Sequence, residues 1–275
     1  MPTYEVRELQ HQQKVYVDGH YLAAVQQGKF RPYIHPVLTP GGHVVTEIAT
    51  ADHLHHLGIW FAHEDIDGVN FWAPESRWTH PIPRMLITAT DVDIDSDGVT
   101  FRQDVEWLDG NEAICLRDSR VVVIGERPGH TMVDVTVTVR ADDLAIRMGQ
   151  TKEAGLALRV SDQIDVLDGG RITNASGQVN EAETFDQVSD WVDYSGPVSR
   201  TQTAGIAIFP HPGSAGIPWF TRDYGPLYVS PWRHEEITLE PGQTRTVGAR
   251  FAAHDGSCEE ADVAGLYARF LDEIA

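Results

Sequence analysis

Several residue types are scarce in this chain of 275 residues, and each scarcity excludes a class of protein. There are two cysteines, so a disulfide framework is not indicated. No run approaches the ~20 consecutive apolar residues of a membrane-spanning helix. The first residues, MPTYEVRELQHQQK, lack the apolar core of a signal peptide. We therefore expect a soluble, cytoplasmic protein without a membrane partner.

Positive charge is also in short supply. Lysine and arginine number 21 against 41 aspartates and glutamates, which gives a formal net charge of -20 at pH 7. A phosphate backbone demands a basic surface, so a general nucleic-acid partner is excluded. The chain has no GxSxG elbow, no P-loop, no HExxH helix and no dinucleotide-binding glycine fingerprint. We expect no nucleotide cofactor.

Most of the chain has the alternating pattern of β-strands. In residues 133–139 valines alternate with polar residues, and clusters of glycine, proline and aspartate separate such runs. Strands at this spacing predict a mainly β protein, a large antiparallel β-sandwich that forms one domain over residues 1–275. Candidate strands include Val44–Ile48, Leu57–Ala62, Gly98–Trp107, Thr131–Arg140 and Leu156–Val160.

One helix is predicted at the C-terminus, over about residues 259–274. Its apolar residues, among them Leu266 and Phe270, recur at helical spacing. Ser257 is placed as an N-cap, and Glu259 suits the positive end of the helix dipole. We expect this helix to cover a face or an edge of a sheet.

The densest functional signal is DHLHHLGIWFAHEDIDGVNFW, from Asp52 to Trp72. Imidazoles suit proton transfer and metal ligation near neutral pH, so His55 and His56 are candidate catalytic residues. His53, His55 and His63 are the candidate ligands of a divalent metal, Zn, Mn, Co or Ni. On a strand, His53 and His55 share a face that His56 does not, whereas a turn lets all three converge. The alternative is that several of the rings are structural or lie on the surface.

A second signal is TKEAGLALRV, residues 151–160. Lys152 and Glu153 precede a strand that carries Arg159, and such a set is able to bind sugar hydroxyls and move protons. Lys152 and Glu153 are therefore the other candidate catalytic residues. The alternative is an exposed ion pair that contributes little to stability.

Aromatic and polar side chains elsewhere are typical of a site for a neutral sugar, in which rings stack and carboxylates, amides or arginines bind hydroxyls. Those in residues 191–198 also suit a packed β corner. Those in the glycine- and proline-rich stretch 209–232 are candidate pocket walls. The candidate substrate-binding residues are Trp60, Arg159, Asn174, Trp191, Asp193, Tyr194, His211, Trp219, Arg222 and Tyr224.

Taken in order, the motifs resemble one family along nearly the whole chain. They are RPYIHPVLTPGG, DHLHHLGIWFAHEDIDGVNFW, TKEAGLALRV, GRITNASGQ, WVDYSGPV, GIAIFPHPG and WFTRDYGPLYVSPW. This set is similar to the bacterial PmoA-like proteins, a domain of unknown function labelled "methane oxygenase PmoA". The chain departs from that family at Leu54 and Leu57, where the family has a proline and an arginine. A membrane-embedded oxygenase is excluded by the lack of a spanning segment. The resemblance implies a galactose-mutarotase-type β-supersandwich and a carbohydrate context.

Three functions remain open. The first is a carbohydrate lyase or hydrolase that acts on a glycoside or keto-sugar through a histidine-rich, metal-containing site. The second is a metal-free mutarotase or epimerase with a histidine acid and a carboxylate base. The third is a non-catalytic sugar-binding protein. In each case the partner is a small sugar or glycoside, and edge strands with an acidic surface allow a homodimer.

Overall fold

The protein is described by a computed structural model of residues 2–74 and 82–275. The predicted mainly β sandwich with a C-terminal helix is confirmed: within these residues two eight-stranded antiparallel sheets carry most of the chain. No helix in these ranges is long and apolar enough to cross a membrane.

The first sheet holds the elements that matter for function. Its strands, in spatial order, are β1 (Tyr4–Leu9), β2 (Gln12–Val17), β3 (His20–Gln27), β4 (Pro32–Val37), β5 (Ile59–His63), β11 (Ala154–Arg159), β16 (Pro226–Val229) and β15 (Trp219–Thr221).

The second sheet packs against it and carries the C-terminal helix on its far side. Its strands are β12 (Arg171–Asn174), β13 (Val192–Pro197), β14 (Thr203–Pro210), β18 (Thr244–Asp255), β9 (His130–Arg140), β8 (Ile114–Arg127), β7 (Val99–Leu108) and β6 (Arg84–Ile94). A small sheet pairs β10 (Ile146–Met148) with β17 (Ile237–Leu239), and the helices are α1 (Asn180–Thr184) and α2 (Val263–Ile274).

The two faces of the first sheet differ in what they contact. The ring of Phe61 lies 5.8 Å from that of Trp107 in the second sheet, so Phe61 faces the space between the sheets. Trp60 is the preceding residue of β5 and therefore points to the opposite side. We call that side the outer face of the first sheet.

Two predicted elements are wrong in detail. The segment Val44–Ile48 is not a regular strand, because its isolated bridges go to three different partners, Leu38, Val160 and Leu57. The C-terminal helix begins at Val263 rather than at residue 259. Asp262 has a left-handed φ of 51° and its side chain accepts a hydrogen bond from the Gly265 amide, so the helix starts there.

Candidate functional site

The floor of the candidate site is one row of residues across the outer face. In the antiparallel register Trp60 lies opposite Tyr33 and Ala157, Ala157 lies opposite Tyr228, and Tyr228 lies opposite Phe220. Directly opposed residues share a face. Trp60 and Tyr228 are therefore separated only by the small Ala157, and the row forms a buried aromatic layer.

The histidines sit on a turn that enters strand β5. The His53 amide donates to the Thr50 carbonyl at 3.1 Å, and the His56 amide donates to the His53 carbonyl at 3.0 Å. Gly58 ends the turn with a φ of +58°, and a Cβ there would lie 2.3 Å from the Ile34 carbonyl oxygen. Of the two geometries that the sequence left open, the turn is the one observed.

The turn brings three imidazoles together. The rings of His53 and His56 stack at 4.6 Å with planes 10° apart, while His55 meets His56 edge-on at 4.7 Å. His56 is buried and stacks on Trp60 at 5.4 Å, whereas His53 and His55 are half-buried. His56 thus anchors the group to the floor, and the other two rings face outward.

Tyr224 also stacks on His53, and its ring lies 6.5 Å from that of His56. Its ring lies 5.0 Å from that of His53, with planes 12° apart. Tyr194 holds the loop that carries Tyr224. The Tyr194 hydroxyl donates to the Asp223 carbonyl at 2.7 Å and accepts from the Val166 amide at 3.0 Å. Tyr194 is fully buried, and its hydrogen bonds position the loop. Its assignment as a substrate contact stays a prediction.

Arg159 supplies a buried cation behind the histidines. It follows Ala157 by two residues on β11 and so shares the outer face with it. Its Nη2 donates to Asp162 Oδ1 at 2.7 Å, and its guanidinium carbon lies 5.6 Å from the centre of the Tyr224 ring. Gly225 is needed beside it, since a Cβ there would lie 2.8 Å from Arg159 Nε. We refer to His53, His55, His56, Arg159 and Tyr224 together as the histidine site.

The surroundings keep two of these histidines neutral. Burial, with a smaller effect from the cation of Arg31, lowers the pKa of His55 to about 4. Burial, followed by the neighbouring His55 and His53, lowers the pKa of His56 to about 2. Both rings are therefore uncharged at neutral pH, the state in which an imidazole accepts a proton.

The pKa of Glu153 is shifted in the opposite direction, upward. Burial raises its pKa, and the nearby Lys152 offsets this only in part. The charge of Glu153 acts on the pKa of Tyr224, and His53 acts on the pKa of Glu153, so the carboxyl lies within electrostatic range of the histidine site. Lys152 lies 3.6 Å from it, with its side chain 67% exposed. A carboxyl with a raised pKa beside neutral imidazoles is an acid–base arrangement.

The predicted metal set is not brought together. His63 and Trp60 lie three residues apart on β5 and so point to opposite faces; the His63 ring meets Trp232 at 5.4 Å, away from His53 and His55. His53 and His56 are stacked nearly parallel, and lone pairs in parallel ring planes do not converge on one ion. Within residues 2–74 and 82–275 no three histidine, cysteine or carboxylate side chains are placed to hold a metal. The structure therefore does not bring His53, His55 and His63 together, and a metal bound by this set stays a prediction.

Three other predicted residues lie beneath helix α2, on the far side of the second sheet. Trp191 belongs to the apolar cluster that α2 covers. Asp193 Oδ1 lies 2.7 Å from His254 Nε2, with both side chains fully buried. His211 stacks on Phe270 of α2 at 5.9 Å. These contacts place Trp191, Asp193 and His211 away from the histidine site, and their assignment to substrate binding stays a prediction.

Two more candidates have buried structural roles. Asn174 is 1% exposed, and its side-chain oxygen accepts from the amides of Ser176 and Gln178. Trp219 is fully buried and donates to the Ser189 carbonyl at 2.9 Å. Both side chains are buried and engaged in these contacts, and their assignment to substrate binding stays a prediction.

Arg222 lies at the margin of the site. Its guanidinium carbon sits 4.2 Å from the centres of both the Phe185 and the Phe220 rings, and Nη1 donates to Glu181 at 3.1 Å. It fixes the loop that carries Tyr224. Its role as a substrate contact remains a prediction.

Some members of the site were missed by sequence reasoning. Asp52 carries a carboxylate oxygen 2.8 Å from His53 Nδ1. Burial acts to raise the pKa of Asp52. Hydrogen bonds from Thr50 and His53 outweigh this effect and lower that pKa to about 2. Its position directly before His53 was the available signal. Trp72, whose ring lies 5.2 Å from that of Trp60 and 5.4 Å from that of Tyr228, carried no comparable signal.

Comparisons with known proteins bear on the family rather than on the reaction. A search of curated proteins found no match. Among solved structures, one similar chain is described as a galactose mutarotase-like protein from Lactobacillus casei, with 9% identity, 92% of this chain and 100% of that chain covered, and a TM-score of 0.38. The PmoA-like name stays a resemblance of motifs. The model of the family described as "Family of unknown function (DUF6807)" matches residues 9–268, and the chain therefore belongs to that family.

Proposed function

We propose that the protein catalyses a proton transfer on a sugar or glycoside bound over the half-buried side of the histidine site. The observation that carries the proposal is the pair of opposite pKa shifts in one place: the pKa of His55 lowered to about 4 and that of Glu153 raised, both by burial. Groups whose environments push their pKa values apart are suited to act as base and acid.

In this proposal His55 is the base. It is half-buried, so a ligand reaches it, and it is uncharged at neutral pH. His56 is buried between Trp60 and the other rings and orients the group. His53 and Tyr224 offer a stacked, half-buried edge against which an apolar sugar face packs.

Glu153 is the acid. Burial raises its pKa, which favours the protonated form that an acid needs. On a keto-glycoside, His55 takes the proton from the carbon next to the carbonyl and Glu153 protonates the departing glycosidic oxygen. The C–H and C–O bonds break and a C=C bond forms, so the step is an elimination. Lys152, the exposed cation beside Glu153, would stabilise the enolate charge.

Mutarotation is a second candidate, and the position of Arg159 favours it. The guanidinium is 2% exposed and engaged by Asp162, so it does not present its charge to the open side of the site. Ring opening at an anomeric carbon forms no enolate and needs only the base and the acid. This reaction therefore uses His55 and Glu153 without a further cation.

The test is a substrate panel with matched variants. Wild type is given keto-glycosides, with enone formation followed by absorbance, and freshly dissolved aldose anomers, followed by polarimetry. We expect turnover of one class, a loss of about 10²–10⁴-fold in His55→Gln and in Glu153→Gln, and no change in the exposed control His20→Gln. A loss in Lys152→Met marks the elimination rather than mutarotation.

Two results would overturn the proposal. Full activity in His55→Gln would show that His55 is not the base. Sugar binding that does not vary with pH, with no turnover of either class, leaves a non-catalytic sugar-binding protein instead.

A further inference from the structure

A second cavity lies beside the histidine site and takes no part in the chemistry above. It has a volume of about 360 Å³, and its wall includes His35, His43, Thr46, Glu47 and Ser161. A volume of this order suits a small molecule. The wall is mostly polar, and its first two histidines come from RPYIHPVLTPGGH, a motif that the proposed reaction does not use.

The hydrogen bonds of Thr46 fix the tautomer of His35. The Thr46 hydroxyl oxygen accepts from the Val37 amide at 3.1 Å and lies 2.9 Å from His35 Nδ1. Thr46 is 1% exposed, so its hydroxyl hydrogen needs an acceptor inside the protein, and Nδ1 is the one in reach. Nδ1 is then an acceptor, and the ring carries its proton on Nε2.

Burial keeps this ring neutral. It lowers the pKa of His35 to about 4, so at neutral pH His35 offers one N–H donor rather than a positive charge. Glu47 is the acceptor on the same wall: its Oε1 already accepts from the Ile48 amide at 3.1 Å, and no hydrogen bond to Oε2 is found in residues 2–74 and 82–275. A neutral donor beside a carboxylate acceptor matches a hydroxyl group, which both accepts and donates, and disfavours an anionic ligand.

The cavity and the histidine site are joined through three backbone hydrogen bonds. The Glu47 amide donates to the Arg159 carbonyl at 3.1 Å, the Arg159 amide to the Gly58 carbonyl at 2.7 Å, and the Gly58 amide to the Glu47 carbonyl at 2.8 Å. A Cβ on Gly58 would lie 2.9 Å from the Cβ of His35. Glu47 and His35 therefore both adjoin Gly58, two residues after His56 in the same turn.

We infer that this cavity binds the second ring of a disaccharide or glycoside, with His35 Nε2–H donating to one ring hydroxyl and Glu47 accepting from it or its neighbour. The inference rests on the proposed function, because it takes the first ring to lie over the histidine site. It makes the substrate a two-ring glycoside rather than a free monosaccharide.

Calorimetric titration of the intact protein tests this. The probes are methyl glucosides, which have one ring, and maltose and cellobiose, which have two. The variants are Glu47→Gln and Thr46→Val, with Thr138→Val as the matched control in a separate cavity on the second sheet. We expect Glu47→Gln to weaken binding of a two-ring probe about tenfold, as for the loss of one hydrogen bond to a charged group, and Thr46→Val to weaken it less, because His35 is a neutral donor. One-ring binding stays unchanged, as do all affinities of the control.

A tautomer measurement gives a readout that does not depend on affinity. Long-range ¹H–¹⁵N spectra of His35 should show the proton on Nε2 in wild type and a mixture of tautomers in Thr46→Val. A proton on Nδ1 in wild type overturns the donor assignment and with it the inference.

The remaining outcomes separate this inference from the proposed function. If Glu47→Gln weakens one-ring and two-ring probes equally, or neither, while His55→Gln still loses turnover of the substrate panel, the second-ring site is wrong and the proposed function stands. If Glu47→Gln weakens two-ring binding and His55→Gln keeps full turnover, the cavity binds sugar and the proposed function is wrong. If no probe binds wild type and no member of the panel is turned over, both are overturned.

Discussion

Nη1 of Arg159 lies 3.3 Å from Nδ1 of His56 in the buried part of the histidine site. A guanidinium only donates hydrogen bonds, so Nδ1 is the acceptor and the proton of the neutral ring is on Nε2. The cation thus holds His56 in one tautomer and opposes its protonation. This contact leaves His55, the more accessible ring, as the better base.

Replacing Arg159 with methionine should raise the pKa of His56. Burial is the largest cause of the lowered value, so the pKa of His56 should rise from about 2 but stay below its ordinary value of 6.5. The measurement is an NMR titration of the ring, with Arg7→Met, which removes an exposed arginine, as control. An unchanged or lower pKa for His56 would contradict the finding.

The fall in rate at high pH should be caused by deprotonation of Glu153. Burial raises the pKa of this carboxyl, and activity should fall as pH rises through that pKa because the acid is lost. In Glu153→Gln the residual activity should lack this fall. A fall that persists with the same midpoint would assign the acid to another group. Glu112→Gln, an exposed carboxylate paired with Arg84, is the control.

Removing metal should leave the protein unaffected. His63 lies on the opposite face from the other histidines, and the near-parallel rings of His53 and His56 do not converge on one ion. We expect activity and thermal midpoint to be the same before and after dialysis against a chelator. Activity lost on dialysis and restored by Zn, Mn, Co or Ni would contradict this.

Acid should destabilise the protein partly through His63. Burial lowers the pKa of His63 to about 4 from 6.5, so below pH 6.5 the unfolded chain takes up a proton that the folded chain refuses. This part of the stability is complete above pH 6.5 and is lost as pH falls towards 4, at up to about 1.4 kcal/mol per pH unit. Urea unfolding between pH 4.5 and 7.5 should show a shallower fall in His63→Asn, while the exposed control His20→Asn keeps the wild-type slope.

Asp193→Asn should destabilise the fold without changing sugar affinity. Burial acts to lower the pKa of His254, and the carboxylate of Asp193 outweighs it, so the pKa is raised. Without that carboxylate a buried His254 is left without its anion, at a cost of about 3–5 kcal/mol in the free energy of unfolding. Urea unfolding checks this, and the double variant with His254→Gln should recover part of the loss. A changed sugar affinity in the folded variant would place Asp193 in the binding site after all.

Local patterning predicted the class of fold and the place of the histidines. Alternation in residues such as 133–139 gives strands because side chains on a strand point to opposite faces in turn. It also placed Leu57–Ala62 on a strand, and the structure has β5 two residues later at its start and one at its end, over Ile59–His63. Alternation reports only on neighbouring residues, so it does not show which distant segment a strand pairs with. Residues 44–48 have the pattern of a strand, but in the structure they form isolated bridges to three different partners.

The sequence by itself determined a mainly β chain, an acidic surface, a C-terminal helix and a cluster of imidazoles beside Trp60. Only the tertiary structure decided which side chains meet. Strand register set Trp60, Ala157 and Tyr228 in one row and turned His63 to the opposite face. It also sent Trp191, Asp193 and His211 beneath α2. The physical reason is that a strand's face follows from its pairing with distant segments, and a shift of one residue exchanges the two faces.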